Sequence, residues 1–331
     1  MNVRRRLIPA ALASALGLGA LTACSSDSAA TGNTDKFDVV ASFYPMAFLA
    51  EQIGGDHVNV TSLTEPGQEP HDLEISTKQR AQLEEADAAL FLKGLQPAVD
   101  EAVGQTGIKT KIDAATLTTL EDHGTGGHSH EGEEGHSEEG HSEEGHAEEE
   151  GHSEEEEHAR DPHVWLDPVK YAEVAQGVGK AFEKADPDHA ADYKKNTEAL
   201  VGKLNGLNGE FENGLKDTKT KVFFTNHAAF GYLAERYGLT QEAISGLDPE
   251  SEPSGARVRE LQQEAKADGV TTVFYETLVS DKTAKTLAKD AGLKTDVLDP
   301  LEGITDKSRG DDYFQVMRAN LKALQTALGT K

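Results

Sequence analysis

Six residues, Tyr193, Leu200, Leu204, Leu207, Phe211 and Leu215, recur at steps of seven, four, three, four and four. Those steps keep one face of a single helix apolar over about six turns. Such a helix is a stiff connector packed against whatever lies on both sides of it. With Asp186 as its expected N-cap and Pro187 in its first turn, the connecting helix is assigned to residues 186–217. On both flanks the chain alternates short β-rich runs with amphipathic helical runs, the pattern of α/β units with largely parallel sheets. Before the connector, strands are expected at 37–43, 58–63 and 88–92, with helices at 46–53, after Ser76, and at 169–183. After it, strands are expected at 221–225, 271–275 and 295–298, with a further run near Ile244. Helices are expected there at 229–237, 256–267, 281–291 and 312–328. The expected fold is therefore α/β: two similar lobes, 37–185 and 218–331, joined by one long rigid helix.

One segment breaks the pattern. Residues 121–158 contain 16 Asp and Glu, eight His, eight Gly and no Lys or Arg, and Gly-His-Ser-Glu-Glu recurs at 135, 140 and 151. Ala147 is its only apolar side chain, so burial cannot offset the entropy of folding, and the segment is expected to be a disordered insertion in the first lobe. Imidazoles among carboxylates nevertheless form a weak, rearrangeable ligand set for borderline divalent metals. The histidines are His123, His128, His130, His136, His141, His146, His152 and His158. The formal charge of the whole chain is −27, but outside the insertion 43 acids face 32 bases, an ordinary acidic surface. That balance excludes nucleic acid as a partner, because phosphate contacts need clustered positive charge.

The start of the chain reads as an address. Arg4, Arg5 and Arg6 precede an apolar run from Leu7 to Ala20, too short and too rich in Ala and Gly to span a membrane. The run ends in Leu21-Thr22-Ala23-Cys24, which resembles the lipobox of bacterial lipoproteins. Residues 1–23 are thus expected to be a lipoprotein signal peptide, Cys24 the lipidation site, and 24–36 a flexible polar tether. This places the protein on the extracytoplasmic face of the cell membrane. The single cysteine also excludes a disulfide framework and any zinc site built from several thiolates.

Three histidines stand in distinctive surroundings. His71 lies in Glu69-Pro70-His71-Asp72, a loop leaving a strand's carboxyl end, where open α/β sheets bind ligands. His163 lies in Asp161-Pro162-His163-Val164-Trp165-Leu166-Asp167-Pro168, whose prolines restrict the backbone on both sides. His227 follows a strand in Phe224-Thr225-Asn226-His227-Ala228-Ala229-Phe230, and Asp299-Pro300-Leu301 follows the last strand. Polar groups at strand ends of two lobes can face one another across a cleft, and three histidines with one carboxylate suit tetrahedral Zn²⁺. His57 and His189 lie in polar, surface-like contexts and are given no role.

Taken together, the lipobox, the Glu-Pro-His loop, the His-rich insertion, the Asp-Pro-His-Val-Trp-Leu-Asp segment, the long helix and Thr-Asn-His-Ala-Ala-Phe resemble the zinc-type substrate-binding proteins of metal ABC transporters (ZnuA-like, cluster A-I or cluster 9). The resemblance covers nearly the whole mature chain. It implies a metal buried between two lobes and delivery of the ion to an ABC-type permease by a protein expected to act as a monomer. Carried over residue by residue, the metal ligands are His71, His163, His227 and Asp299. Glu276 competes with Asp299 for the fourth place or orients a ligand histidine, and Glu69, adjacent to the His71 loop, is a further candidate for the same roles.

In manganese-type relatives a glutamate typically stands where His227 stands; three imidazoles favour zinc as the transported ion. A manganese- or iron-type binder or a metal-dependent adhesin of the same fold is the alternative, with a secreted zinc hydrolase behind it. The chain lacks His-Glu-x-x-His, a Gly-x-Ser-x-Gly elbow and a phosphate-binding glycine loop, so the reading is a binding protein and not an enzyme.

Overall fold

Parallel pairing organises both halves of the chain. In a computed structural model that describes residues 36–123 and 160–330, strands β1 (Phe37–Ala41), β2 (Val58–Ser62), β3 (Ala88–Phe91) and β4 (Thr110–Asp113) form a sheet in the order β2-β1-β3-β4. Strands β5 (Val222–Thr225), β6 (Thr240–Ala243), β7 (Thr272–Tyr275) and β8 (Lys294–Val297) repeat that order as β6-β5-β7-β8. Every pairing is parallel. Helices α1 (Tyr44–Gly54), α2 (Thr77–Glu85), α3 (Pro97–Gln105) and α4 (Pro168–Ala185) accompany the first sheet. Helices α6 (Gly231–Arg236), α7 (Gly255–Ala267), α8 (Lys282–Ala291) and α9 (Tyr313–Leu328) accompany the second. The signal segment, Cys24, and the insertion histidines from His128 to His158 lie outside the described residues.

Between the sheets runs α5 (Ala190–Leu215), whose six stripe residues are each at most 2% exposed. Thr197 fills the seven-residue gap in the stripe and returns its hydroxyl to the Tyr193 carbonyl at 2.7 Å. Opposite it, a Cβ at Gly179 would collide with Thr197, so glycine lets α4 and α5 approach closely. Helix α5 also packs on α1 from the first lobe and α9 from the second. One apolar core consequently runs from Phe37 through the α5 stripe to Leu328, while α2 and α3 cover the far face of the first sheet and α7 and α8 that of the second. A shared core is why the connector is stiff: separating the lobes would expose buried side chains at about 25 cal/mol per Å².

Three details differ from the sequence reading. Helix α3 and strand β4 had no expected counterpart; β4 is only four residues long, with a single buried position, Ile112. Asp186 does not cap the long helix through a backbone amide. Its carboxylate receives the Tyr193 hydroxyl at 2.6 Å and pairs with the His189 ring at 2.8 Å, and a 3-10 turn at Pro187–His189 precedes α5. Among the described residues no helix is long and apolar enough to cross a membrane.

Candidate metal centre

His71 lies beyond β2 in a loop held by one side chain. The Glu69 carboxylate accepts the backbone amides of His71 and Asp72, each at 3.1 Å, and so fixes where the imidazole starts. Burial raises the Glu69 carboxyl above its ordinary value, against the lowering effect of the His71 amide and ring. The His71 side chain remains 12% exposed and forms the solvent side of the site.

His163 is fully buried at the start of a 3-10 turn, Val164–Leu166. Asp161 Oδ1 accepts both its backbone amide at 2.9 Å and its Nδ1 at 2.7 Å. Two residues on, the Trp165 indole donates to the Pro300 carbonyl at 2.7 Å, and the Tyr313 hydroxyl donates to the Trp165 carbonyl at 2.7 Å. The segment carrying His163 is thereby hydrogen-bonded to the second lobe.

His227 follows β5, and its Nδ1 faces Glu276 Oε1, just past β7, at 2.8 Å; Asn226 donates to the same oxygen at 3.0 Å. Glu276 thus orients His227, one of the two roles expected for it. With Nδ1 donating to a carboxylate, His163 and His227 both turn Nε2 toward Glu302, and deprotonation at that nitrogen leaves the lone pair a metal requires.

The carboxylate that meets these rings is Glu302 and not Asp299. Glu302 Oε1 lies 3.4 Å from His71 Nε2, 3.2 Å from His163 Nε2 and 3.2 Å from His227 Nε2. One ligating atom from each of His71, His163, His227 and Glu302 lies within 4.8 Å of all the others. Asp299 is occupied elsewhere: Oδ1 accepts the Leu301 amide at 2.9 Å, and Oδ2 accepts the hydroxyls of Ser308 at 2.8 Å and Thr277 at 3.4 Å. Asn320 on α9 clamps the Asp299 backbone from both sides, at 3.0 and 2.7 Å. Leu301, at φ 59°, is the one non-glycine residue with positive φ among the described residues. That left-handed turn, a strain of roughly 1–2 kcal/mol, swings the chain so that the next side chain, Glu302, enters the cleft. The signal was present in the sequence: an Asp that starts an Asp-Pro turn tends to bond its own backbone two residues on.

The electrostatics follow from burial. Desolvation favours neutral His163, but the hydrogen bond and charge of Asp161 and the charge of Glu302 outweigh it and hold the imidazole above its ordinary value. Desolvation opposes charge on His227 too, and the Glu276 and Glu302 carboxylates carry it well above that value. For Glu302, burial would raise the carboxyl, yet the charge of His227 and the His163 and His71 imidazoles beside it hold it well below the usual carboxylate range. Glu302 Oε2 and Glu276 Oε2 are buried without a hydrogen-bond partner. His163 Nε2, though close to Glu302, is not aligned to bond it. Three imidazole nitrogens and a carboxylate oxygen at one point, with buried polar atoms left unpaired, form a donor set for one borderline divalent cation.

Two α/β lobes on one helix, closing such a donor set between them, define a class of protein that encloses a small cation in an interlobe cleft. The sequence profile of one family, described as zinc-uptake complex component A, periplasmic (ZnuA), matches residues 39–327, and the chain belongs to that family. It is 37% identical over 320 residues to the zinc-binding lipoprotein AdcA of Streptococcus pneumoniae, covering 92% of this chain and 58% of that protein. It therefore spans little more than half the length of AdcA. It is 36% identical over 331 residues to the high-affinity zinc uptake system protein ZnuA of Bacillus subtilis, covering 95% of this chain and 98% of that protein. Among solved structures, the Zn(II)-bound ZnuA-like domain of S. pneumoniae AdcA superposes with a TM-score of 0.69 at 34% identity, covering 88% of this chain and 99% of the domain.

Proposed function

We propose that this protein captures Zn²⁺ outside the cytoplasmic membrane and presents it to an ABC-type permease for uptake, with His71, His163, His227 and Glu302 as its ligands. The observation that carries the reading is the convergence of three imidazole Nε2 atoms on a single Glu302 oxygen at 3.2–3.4 Å. Family membership and relatives named for zinc binding and zinc uptake support it. In this reading His163 and His227 are prepositioned by Asp161 and Glu276, and the ion meets the more exposed His71 on its way in. Zinc replaces the protons that the raised imidazoles carry, and Glu302 supplies the negative charge that partly offsets the ion's own. Four protein ligands enclosing the ion leave no open position for a reactive water, so the chain binds and does not catalyse. A lipid on Cys24 would anchor the protein at the membrane, and the insertion histidines would collect zinc weakly near the cleft.

Three nitrogens disfavour the manganese- and iron-type alternative, since harder ions prefer a larger share of oxygen ligands. Competition among Zn²⁺, Mn²⁺ and Ni²⁺ for the purified protein tests the assignment. Zinc should displace an excess of manganese stoichiometrically, and His227→Ala should remove that preference; a wild-type protein that retains manganese against equimolar zinc would refute it.

A further inference from the structure

Glu302 reaches the cleft by way of one strained turn, and a single peptide unit controls that turn. The bond between Pro300 and Leu301 is trans, so its carbonyl and its amide point opposite ways, and each is held. Asp299 Oδ1 accepts the Leu301 amide at 2.9 Å from within the second lobe. The Pro300 carbonyl accepts the Trp165 indole N–H at 2.7 Å, and Trp165 stands in the 3-10 turn Val164–Leu166 of the first lobe. The plane of this peptide sets Leu301 at φ 59°, and Leu301 in turn aims the Glu302 side chain. Of the two bonds on the peptide, only the one from Trp165 crosses between the lobes.

The segment that carries both His163 and Trp165 is seated on the second lobe along its length. At its start the Asp161 amide donates to the Glu121 carbonyl at 2.9 Å, which joins the two ends of the insertion backbone to backbone. Tyr232 on α6 donates its hydroxyl to the Asp161 carbonyl at 2.7 Å and accepts the Glu121 amide at 2.8 Å. At its end the Arg236 guanidinium donates to the buried Asp167 carboxylate at 2.8 Å. Between them Trp165 is fully buried, edge-on to Phe43 with ring centroids 5.0 Å apart and 5.1 Å from the His163 ring. The indole therefore cannot follow the Pro300 carbonyl if the turn moves. Pro300 is buried as well, and among the described residues this is the only hydrogen bond its carbonyl receives.

We propose that Trp165 is a positioning residue for Glu302: its indole N–H holds the Pro300–Leu301 peptide in the left-handed turn, so that the carboxylate stands among the imidazoles only while the His163 segment is seated on the second lobe. The proposal rests on the reading of Glu302 as a zinc ligand. Without the bond, Leu301 relaxes to negative φ, the strain is released, and the carboxylate withdraws from the three Nε2 atoms. Zinc and the Trp165–Pro300 bond support each other, because an ion held by His163 and Glu302 draws together the two segments that the indole joins. A movement that lifts the segment away takes two ligands from the ion at once, His163 by displacement and Glu302 by relaxation of its turn.

Trp165 is the chain's only tryptophan, so its N–H can be deleted without altering the shape of the ring. Growth of a tryptophan auxotroph on 3-benzothienylalanine puts sulfur in place of the N–H at this one position. Trp165→Phe makes the same deletion with a smaller ring, and the isostere decides where the two differ. Each form is made in the full chain, alone and with Glu302→Gln, and the affinity of the tight site for Zn²⁺ is read by competition with a chromophoric chelator. With Glu302 present, loss of the N–H should weaken zinc by about 5–30-fold, the strain of the Leu301 turn expressed as an affinity. In Glu302→Gln, where no carboxylate charge remains to be placed, it should weaken zinc by less than about twofold. Equal losses in the two backgrounds would mean that Trp165 acts through packing or through His163, and would overturn the proposal while leaving the cleft reading intact. Unchanged affinity in the isostere would do the same. If Glu302→Gln alone bound zinc as tightly as the parent chain, the ligand assignment would fall and the proposal with it.

Discussion

The two lobes share one strand order yet place the side chains of the proposed site differently. In the second lobe His227 and Glu276 each stand within two residues of a strand's end, and both are nearly inaccessible. Glu302 stands five residues past β8 on a turn held by Asp299 and Asn320. In the first lobe His71 hangs nine residues beyond β2, braced by Glu69 through backbone amides alone, and His163 arrives on the segment that returns after the insertion. Identical sheets therefore give one lobe a fixed half-site and the other a half-site assembled from loops. The fixed half is buried against close neighbours; in the other half His163 is held by Asp161, and His71 is the more exposed group that can adjust as an ion enters.

That contrast can be broken or sharpened by substitution. The largest effect is expected at Glu302. Glu302→Gln leaves the imidazoles without their carboxylate and should weaken zinc by about 100-fold or more, by analogy with the 3–5 kcal/mol lost when one partner of a buried pair is removed. Asp299→Asn should change zinc affinity by less than about threefold while lowering stability by about 1 kcal/mol, the net worth of the hydrogen bond that Ser308 donates to Oδ2. Chelator competition and thermal melts on the two variants separate these outcomes; an Asp299→Asn protein that loses zinc while Glu302→Gln keeps it would reverse the assignment.

An intermediate effect is expected at the orienting groups. Glu276→Gln keeps an acceptor for His227 Nδ1 but removes the charge that strengthens that bond, and should cost about 10–100-fold in affinity. Glu69→Gln, acting on the adjustable half, should cost less than Glu276→Gln and act mainly on the association rate, measurable by stopped-flow with a fluorescent chelator. Equal losses in the two variants would erase the distinction between the lobes.

The smallest effect is graded with pH. His163 and His227 are held above the ordinary imidazole value in the metal-free site, so they keep protons to higher pH than a free imidazole, and zinc must displace those protons. Apparent affinity should rise as pH rises through that raised range, level off above it, and weaken progressively below it. Calorimetry at pH 7 in two buffers of different ionisation enthalpy should register proton release on binding. In Glu276→Gln, which loses the charge raising His227, the release should diminish.

Much of this arrangement was legible in the chain. The α5 stripe and the strand-helix alternation predicted two α/β lobes because burial imposes periodicity, and periodicity survives in linear sequence. His71, His163 and His227 stood out because proline and strand-end contexts constrain direction as well as position. Glu302 did not, because its entry depends on Leu301 adopting a left-handed conformation and on Ser308 and Thr277 engaging Asp299, contacts between residues whose separations carry no period. The contact between His123 and the second lobe was equally hidden. His123 read as one repeat histidine among eight, and only the fold places it against Glu235, 112 residues away.

The backbone bond between Glu121 and Asp161, with Tyr232 across both, has an evolutionary consequence. It makes a port whose width is set by the body of the protein and not by what is threaded through it. Closing a chain segment costs entropy that grows only logarithmically, about 0.6 kcal/mol for each doubling of length. Units of Gly-His-Ser-Glu-Glu can thus be duplicated or lost by unequal copying of the gene without disturbing the cleft. If the repeats collect metal as proposed, their number becomes a quantity that selection can tune to metal supply, independently of the affinity of the cleft.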